Sequence, residues 1–245
     1  MYKLFLYFRS AIFWLVFLVS TIIFAPVSLL TFPLPVLSRY RFIILWSRFN
    51  IWWLNVTCGV RFEVEGKENL PEGGAIFLAK HQSTWETMAF QQILPPHVWV
   101  LKRELFKIPF FGWGLKMLRP IAIDRTAGRR AVDQLVTQGI KKLEDNWSVM
   151  IFPEGTRVKP GKAVRYKLGG SILASQARFP VVPVAHNAGE FWPKHSFIKW
   201  PGTVTVVIGK PIQGFERKPE EINEEVKDWI ETQMERISDK ARWGR

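Results

Sequence analysis

The first sixty residues of the chain are dominated by apolar and aromatic side chains. No charged residue occurs between Ser10 and Ser38, and a second apolar stretch, FIILWSRFNIWWLNV, follows with only Arg48 inside it. Helices of such length can enter the hydrocarbon core of a bilayer, which is about 30 Å thick. Because proline disrupts helix interiors, the first helix is expected to end before Pro26. The pattern predicts apolar helices that anchor residues 1–60 in a membrane.

Three arrangements of this anchor are open at the level of sequence. One helix could span the bilayer if Arg9 extends toward the headgroups, or two interrupted helices could form a hairpin that enters one leaflet. The run could also be a cleaved signal peptide. No small-x-small cleavage site is followed by a polar start, which favours a retained anchor. The basic flank, with no acid before Glu63, indicates the cytoplasmic side.

Downstream of Arg61 the pattern changes to short β-branched runs that alternate with amphipathic stretches. Three helices are predicted, with apolar positions from Val132 to Leu143, from Gly170 to Ala177, and from Pro219 onward. Strands that alternate with helices predict an α/β fold with active loops at the strand ends. The predicted strands are RFEVEG, AIFLAK, VWVLKR, IAIDR, WSVMIFP, VVPVA and VTVVIGK.

Composition and charge exclude several classes of protein. The 245 residues are 48% hydrophobic and 14% aromatic, which excludes a disordered chain, and 22% are charged, which excludes a polytopic transporter. Cys58 is the single cysteine, so a disulfide scaffold is excluded. A net charge of +13 attracts anionic partners such as lipid headgroups, nucleic acid or acidic molecules.

A histidine and a glutamate stand close together immediately after the strand AIFLA. The segment reads KHQSTWE and contains His81 and Glu86. On one continuous helix the two side chains would point about 140° apart, so they can meet only if His81 precedes a helix capped by Ser83 or Thr84. A carboxylate on one ring nitrogen would leave the other free to accept a hydroxyl proton. The same spacing is also common in surface pairs that have no function.

Two further motifs carry positive charge beside strand ends. In FPEGTR, Pro153 keeps the chain extended, Gly155 permits a tight turn, and Arg157 can present its guanidinium to a phosphate. The segment KRELFKIPFFGWG, from Lys102 to Gly114, is apolar, aromatic and basic together. The first motif could be a solvated loop and the second a core-facing loop. The functional alternatives are a phosphate site and a surface that contacts lipid.

In their order along the chain, these motifs resemble the lysophosphatidic acid acyltransferases, the PlsC-like 1-acyl-sn-glycerol-3-phosphate acyltransferases. The resemblance runs from Gly66 to Pro211 and rests on four blocks: the His81–Glu86 pair, KRELFKIPFFGWG with RPIAIDR, FPEGTR, and VVPVAHNAG. It implies an α/β catalytic domain over residues 61–245 with a mixed sheet flanked by helices. Four blocks in this order are far more specific than one.

The resemblance also implies a reaction and roles for individual residues. His81 would be the general base on the free hydroxyl of 1-acyl-glycerol-3-phosphate, which attacks an acyl thioester to make phosphatidic acid for phospholipid synthesis. Glu86 would orient His81, Arg157 would hold the phosphate with help from Lys102, and residues 181–185 would line the acyl side. The residues implied in substrate binding are Lys102, Arg125, Glu154, Gly155, Thr156 and Arg157.

Glu86 departs from the family pattern, in which the acid is usually aspartate. The role survives if the helix lies slightly farther from His81. The resemblance implies a reaction that needs no cofactor and no metal. The implied partners are a membrane lysophospholipid, the bilayer, and acyl-CoA or acyl carrier protein, and nucleic acid is not among them. The expected location is a bacterial inner membrane with the catalytic domain on the cytoplasmic side. Another lysolipid acceptor, such as a lyso-ornithine lipid, is the alternative.

Other enzyme classes lack their motifs in this sequence. There is no G-x-S-x-G, no P-loop, and no H-E-x-x-H among the four histidines, which disfavours a serine esterase, a nucleotide-binding enzyme and a zinc hydrolase. A non-catalytic membrane or nucleic-acid binding protein would explain the charge and the anchor. It would not explain His81 and Glu86 in the same chain as FPEGTR.

Overall fold

The computed structural model describes residues 1–109, 111–124 and 127–243. Within these ranges seven α-helices and seven strands form, and all seven predicted strands are among them. In chain order they are α1 Tyr2–Leu29, α2 Val36–Cys58, β1 Val60–Glu65, β2 Ile76–Ala79, α3 Trp85–Ile93, β3 His97–Lys102, α4 Phe111–Met117, β4 Ile121–Ile123, α5 Arg129–Glu144, β5 Ser148–Ile151, α6 Gly169–Gln176, β6 Val181–His186, β7 Gly202–Ile208 and α7 Pro219–Ile237.

The strands form one mixed sheet in the order β1-β7-β6-β2-β5-β3-β4. All neighbouring strands are parallel except β6 and β7, which are antiparallel. Every residue of β2, β5 and β6 is buried. Such continuous apolar strands are typical of parallel sheets that are covered on both faces. The predicted α/β fold with a mixed sheet flanked by helices is confirmed.

Alternate side chains of the central strand β2 enter two different cores. Phe77 packs into a core with residues of α1, α2 and α3, such as Leu54 and Phe90. Ile76 packs on the opposite face, where α5, α6 and α7 contribute residues that include Leu173. This division follows from the two-residue period of a strand, which directs successive side chains to opposite faces. Helices α5, α6 and α7 confirm the three amphipathic helices that the sequence predicts.

Helices α1 and α2 form an antiparallel hairpin. Phe24 stacks on Phe42 with ring centroids 5.0 Å apart, and Phe17 contacts Trp46 with ring centroids 5.3 Å apart. The earlier residue of α1 therefore faces the later residue of α2, as in an antiparallel pair. The expectation that the first helix ends before Pro26 is wrong. Proline deprives only one carbonyl of its amide donor, and α1 ends three residues later, so little of the helix is affected.

Both ends of the first helix contact the remainder of the chain. Near its start, Ser10 Oγ accepts a hydrogen bond from the Lys199 amide at 2.9 Å, and Trp14 Nε1 donates to the Phe197 carbonyl at 3.0 Å. Near its end, Ser28 is buried close to Gly114 of α4. The hairpin therefore lies along the α/β domain instead of projecting from it.

Candidate active site

The strand order brings three predicted site segments to one edge of the sheet. Strand β5 lies between β2 and β3, and all three are parallel, so their carboxyl ends meet at the same edge. His81 follows β2, the FPEGTR loop follows β5, and Lys102 is the last residue of β3. Ligands commonly bind at this edge of α/β sheets because the loops there converge.

His81 and Glu86 form the hydrogen-bonded pair that the sequence predicts. Glu86 lies in the first turn of α3, and its Oε1 is 2.9 Å from Nδ1 of His81. The same oxygen accepts hydrogen bonds from the amides of Gln82 at 2.9 Å and Ser83 at 2.7 Å. Because a carboxylate only accepts, Nδ1 carries the ring hydrogen and Nε2 is left as the acceptor.

Glu86 is fully buried, yet it favours its ionised form. Burial raises the pKa of its carboxyl, but the nearby His186 imidazole and the hydrogen bonds from His81 and Ser83 outweigh that effect, so the pKa lies below its usual value. Thr84 is the N-cap residue of α3 and makes no side-chain cap hydrogen bond, but Ser83 Oγ accepts from the amide of Trp85, the first helical residue, at 3.1 Å. The prediction that His81 precedes a helix containing Glu86 is confirmed.

The imidazole of His81 is part of an aromatic stack. Its ring lies 3.9 Å from the Phe152 ring, centroid to centroid, with 8° between the planes. Phe152 in turn stacks on Trp99 at 5.5 Å. The side chain of His81 is 16% exposed, so the ring is confined on one face and still reachable from solvent. Stacking and the Glu86 hydrogen bond together determine the ring orientation.

The FPEGTR loop is hydrogen-bonded to the His81 segment. Arg157 Nη1 donates to Thr84 Oγ1 at 2.7 Å, and the Val158 amide donates to the His81 carbonyl at 2.8 Å. Lys194 Nζ donates to the Arg157 carbonyl at 3.1 Å. These contacts place the guanidinium of Arg157 beside the turn that carries His81.

A cavity of about 530 Å³ opens at this edge of the sheet, within the size range of ligand sites. His81 lies on its wall, and so do the cationic side chains of Lys102, Arg157 and Lys167. The rest of the wall is largely apolar and includes residues of both α1 and α2. These apolar residues are Phe17, Trp46, Met88, Trp99, Val100, Leu101, Leu105, Leu115, Ile123, Ala131, Val132, Leu135, Ile151, Phe152 and Pro153.

Gly155 leaves room for a lysine in the FPEGTR loop. Its φ of +71° is a conformation that favours glycine, and a Cβ at this position would lie 2.8 Å from Nζ of Lys167. The Lys167 amide also donates to the Pro153 carbonyl at 2.8 Å. The loop therefore depends on glycine twice, for its backbone turn and for the path of Lys167 into the cavity.

Comparison with known proteins agrees with this geometry. The acyltransferase family model matches residues 61–187. A 1-acyl-sn-glycerol-3-phosphate acyltransferase of Pseudomonas aeruginosa is 43% identical over 235 residues, which span 94% of this chain and 91% of that protein. The chain belongs to the 1-acyl-sn-glycerol-3-phosphate acyltransferase family. The resemblance seen in the sequence is confirmed.

Two further relatives of this acyltransferase extend the comparison. The chloroplastic 1-acyl-sn-glycerol-3-phosphate acyltransferase BAT2 of Brassica napus is 30% identical, over 94% of this chain and 68% of that protein. The crystal structure of PlsC, the 1-acyl-sn-glycerophosphate acyltransferase of Thermotoga maritima, superposes with a TM-score of 0.79 at 23% identity. That match covers 98% of this chain and 100% of PlsC, so the two chains share the fold along nearly their whole length.

The structure places most of the predicted site residues of this acyltransferase on the cavity wall. His81 and Lys102 line the cavity, and so does the segment 155–157. Glu154 does not, because its carboxylate is buried and lies 3.1 Å from Lys80 Nζ. Arg125 lies outside the described residues.

The prediction for the acyl side is wrong. Residues 181–185 belong to β6, which is buried in the sheet between β2 and β7, and they do not line the cavity. Helices that are remote in sequence line it instead. Phe17 and Trp46 of the anchor hairpin are examples, and their aromatic character is the only signal that the sequence carries.

The described part of this acyltransferase contains no group of three His, Cys, Asp or Glu side chains arranged to hold a metal ion. Its other buried histidine near the site, His186, lies 4.0 Å from Glu86 and is 2.8 Å from the Lys80 carbonyl through Nε2. Burial lowers the pKa of His186, and the neighbouring Glu86 carboxylate opposes that shift. His186 therefore supports the turn before His81 by hydrogen bonding.

Proposed function

We propose that this acyltransferase transfers an acyl chain from an acyl thioester to the free hydroxyl of 1-acyl-glycerol-3-phosphate and so makes phosphatidic acid for phospholipid synthesis. One observation carries the proposal. His81, oriented by the buried carboxylate of Glu86, lies on the wall of a cavity that combines cations with long apolar walls. A lysophosphatidic acid presents the matching groups, which are a hydroxyl, a phosphate and an acyl chain.

The reaction proceeds by direct transfer. Nε2 of His81 accepts the proton of the acceptor hydroxyl while its oxygen attacks the carbonyl carbon of the thioester. The tetrahedral intermediate collapses with cleavage of the carbon–sulfur bond, and the departing thiolate takes the proton from the imidazolium. Glu86, held ionised, stabilises that imidazolium and keeps Nδ1 protonated throughout.

The two hydroxyl side chains that stand between His81 and Glu86 in sequence, Ser83 and Thr84, are engaged in other hydrogen bonds, which supports transfer without an acyl-enzyme intermediate. Ser83 Oγ donates to the Trp192 carbonyl at 2.7 Å. Thr84 Oγ1 accepts from Arg157 at 2.7 Å. The Nε2 atom of His81 is then available to the hydroxyl of a substrate rather than to a serine nucleophile.

The acceptor phosphate is held by Arg157, with Lys102 and Lys167 on the same cavity wall. A guanidinium can bind two phosphate oxygens at once, and the Thr84 hydrogen bond holds it near His81. Gly155 and Thr156 form the turn that presents Arg157, and Glu154 holds that turn from inside the protein. Arg125 is proposed as a further cation from its motif alone.

The apolar hairpin places the enzyme in one leaflet of the membrane. Helix α1 is apolar and long enough to span, but both of its ends contact the α/β domain, so it cannot leave that domain to cross a bilayer. Its outward-facing side chains, such as Leu15, Leu18 and Ile22, are exposed and apolar. A hairpin lying in the interface satisfies both conditions. We place it in a bacterial inner membrane, with the catalytic domain on the cytoplasmic side.

The co-substrate is acyl-CoA or an acyl carrier protein thioester, both of which are anionic and suit the net charge of +13. Acyl transfer from a thioester to a hydroxyl requires no cofactor. We assign the positive net charge to the binding of lipid and acyl donor, and not to the binding of nucleic acid. The anchor, residues 1–60, and the catalytic domain, residues 61–245, differ in function but are not separate in packing. Phe17 and Trp46 of the anchor also line the cavity.

The direct test is an assay of the full chain in nanodiscs. Lysophosphatidic acid is offered with acyl-CoA or with an acyl carrier protein thioester, and phosphatidic acid is followed by mass spectrometry. His81→Ala should abolish product formation, whereas His195→Asn, at an exposed histidine that does not line the cavity, should leave it unchanged. Acylation of a lyso-ornithine lipid in place of lysophosphatidic acid, or turnover that survives His81→Ala, would contradict the proposal.

A further inference from the structure

Lys80, which immediately precedes His81, is a buried cation that the reaction does not use. It is 3% exposed at the end of β2 and does not line the cavity. Its Nζ lies 3.1 Å from Oε1 of Glu154 and 2.6 Å from Oε1 of Glu231. Glu231 belongs to α7, the last helix of the fold, so one ammonium joins the C-terminal helix to the FPEGTR loop.

The carboxylate of Glu154 connects this ion pair to the general base. Its Oε2 accepts a hydrogen bond from the backbone amide of His81 at 2.7 Å. On the other side, Tyr166 donates from its hydroxyl to Glu231 Oε1 at 2.8 Å. A continuous chain of polar contacts therefore runs from α7 through Lys80 and Glu154 to the main chain of His81.

The single ammonium faces two carboxylates, of which Glu154 is buried and Glu231 is partly exposed. The pKa of Glu154 is raised to about 7, because burial, together with the charge of Glu231, outweighs the lowering effect of Lys80 and the His81 amide. Removing one partner of a buried pair leaves the other charge uncompensated, which is far more costly than losing an exposed pair. Lys80 is the cation that favours the ionised form of Glu154 and holds its carboxylate in place.

We propose that Lys80 is a positioning residue, whose contact with Glu154 holds that side chain against the main chain of His81 and so keeps His81 in the catalytic orientation, with Glu231 and Tyr166 of the C-terminal half anchoring the lysine. The inference rests on the proposed function, because it assumes that His81 is the general base. The polar chain controls how His81 is aimed and leaves the substrate-binding wall untouched. It therefore acts on kcat and not on the KM for the acceptor.

Two substitutions and their combination test this role. Lys80→Met keeps the length and apolar stem of the side chain and removes its charge. It should lower kcat about 10- to 100-fold, as expected for a misaligned catalytic group, with the acceptor KM within about 2-fold of the unaltered chain. The acid limb of the pH profile of kcat should move to higher pH in Lys80→Met. Without the ammonium, Glu154 faces only the charge of Glu231 and therefore stays protonated to a higher pH.

Glu231→Gln removes the opposing carboxylate charge and keeps a side chain that can accept from Tyr166. Alone it should change kcat less than about 3-fold and move the acid limb to lower pH, because the charge of Glu231 raises the pKa of Glu154. In the double variant the repulsion between the carboxylates is gone, so kcat should recover at least about 3-fold over Lys80→Met. Glu235→Gln, at an exposed glutamate on the same helix, is the control.

Additive losses in the double variant would reduce Lys80 to a packing role and overturn the inference, as would a raised acceptor KM with unchanged kcat. If Lys80→Met does not fold, by thermal unfolding in nanodiscs, the Glu231→Gln profile decides, and an unmoved acid limb contradicts the proposal. The unaltered chain is assayed beside the variants with every acceptor. The acceptor that the unaltered chain uses tests the proposed function. The variants are then compared with that same lysolipid, so the role of Lys80 is tested separately.

Discussion

Arg157 donates a hydrogen bond from Nη1 to Thr84 Oγ1 over 2.7 Å and so joins two motifs that lie 73 residues apart. Thr84 stands between His81 and Glu86 in sequence and immediately precedes α3. One short side chain therefore fixes the guanidinium with respect to the imidazole. This hydrogen bond therefore sets the distance between Arg157, the proposed phosphate ligand, and His81, the proposed base.

Loss of the Thr84 hydroxyl should weaken acceptor binding. Thr84→Val keeps the shape of the side chain, so the guanidinium of Arg157 loses one partner and becomes mobile. The KM for lysophosphatidic acid should rise about 3- to 10-fold, in line with a hydrogen bond to a charged group. Thr84→Ser, which retains the hydroxyl, is the control and should remain within about 2-fold. Equal effects of the two changes on steady-state kinetics would contradict the role given to this hydrogen bond.

Arg157 itself should discriminate between acceptors with and without a phosphate. Arg157→Ala should lower kcat/KM for lysophosphatidic acid about 100-fold or more, because a charge-assisted bidentate contact is lost. Turnover of a monoacylglycerol, which has no phosphate, should fall far less. The measurement is the ratio of the two kcat/KM values in the same nanodiscs, with Arg157→Lys as an intermediate case. A ratio unchanged by Arg157→Ala would place the phosphate elsewhere.

Glu86 should be needed as a charge. Glu86→Gln keeps the side-chain length but removes the carboxylate that stabilises the imidazolium of His81, so kcat should fall about 10²- to 10⁴-fold. Glu86→Asp, the acid usual in the family, should retain more activity than Glu86→Gln although its carboxylate lies farther from Nδ1. Single-turnover measurements of acyl transfer decide between them. The reverse order of activities would show that reach, not charge, matters.

A methyl group at Gly155 should disturb the loop in two ways. Gly155→Ala introduces a Cβ within 2.8 Å of Lys167 Nζ at a φ of +71°, so the free energy of unfolding should fall by about 1–3 kcal/mol. Shortening the lysine in Gly155→Ala with Lys167→Ala should restore part of that loss, because only the backbone strain remains. Thermal unfolding of the two variants and of Lys167→Ala alone provides the comparison. Strictly additive changes would indicate that the two residues do not meet.

Acid should destabilise the fold through His97. Burial lowers the pKa of His97 to about 4, so the native state holds it neutral while the unfolded chain binds a proton near the ordinary value of 6.5. The contribution of neutral His97 to the free energy of unfolding is fully present above pH 6.5 and is lost as the pH falls toward 4. The free energy of unfolding should therefore fall by about 3 kcal/mol between pH 7 and pH 4 through this residue. His97→Asn should therefore flatten the fall of the unfolding temperature over this range. Parallel curves for the two proteins would contradict this assignment.

Local sequence patterns were sufficient for the strands, for most of the helices and for the His81–Glu86 pair, but α4 was not predicted. The seven β-branched runs became strands, and the apolar stripes of α5 and α7 became buried helix faces. The pair could be predicted because five residues in a strand-turn-helix segment meet through local geometry alone. Pro26 shows the limit of such reasoning, since α1 continues past it for one turn of helix that the sequence pattern did not predict.

The sequence by itself therefore determined most of the elements, the apolar character of the first two helices and the family-like motifs, because each of these depends on neighbouring residues. Only the tertiary structure decided which motifs meet and which side chains form the cavity. Strand order placed β5 between β2 and β3, brought Arg157 to Thr84, and buried residues 181–185 within the sheet instead of along the acyl site. Packing of the hairpin put Phe17 on the wall of the cavity that His81 also lines, and packing of α7 gave Lys80 its second carboxylate. Contacts between residues this far apart depend on how whole elements pack, which no local pattern encodes.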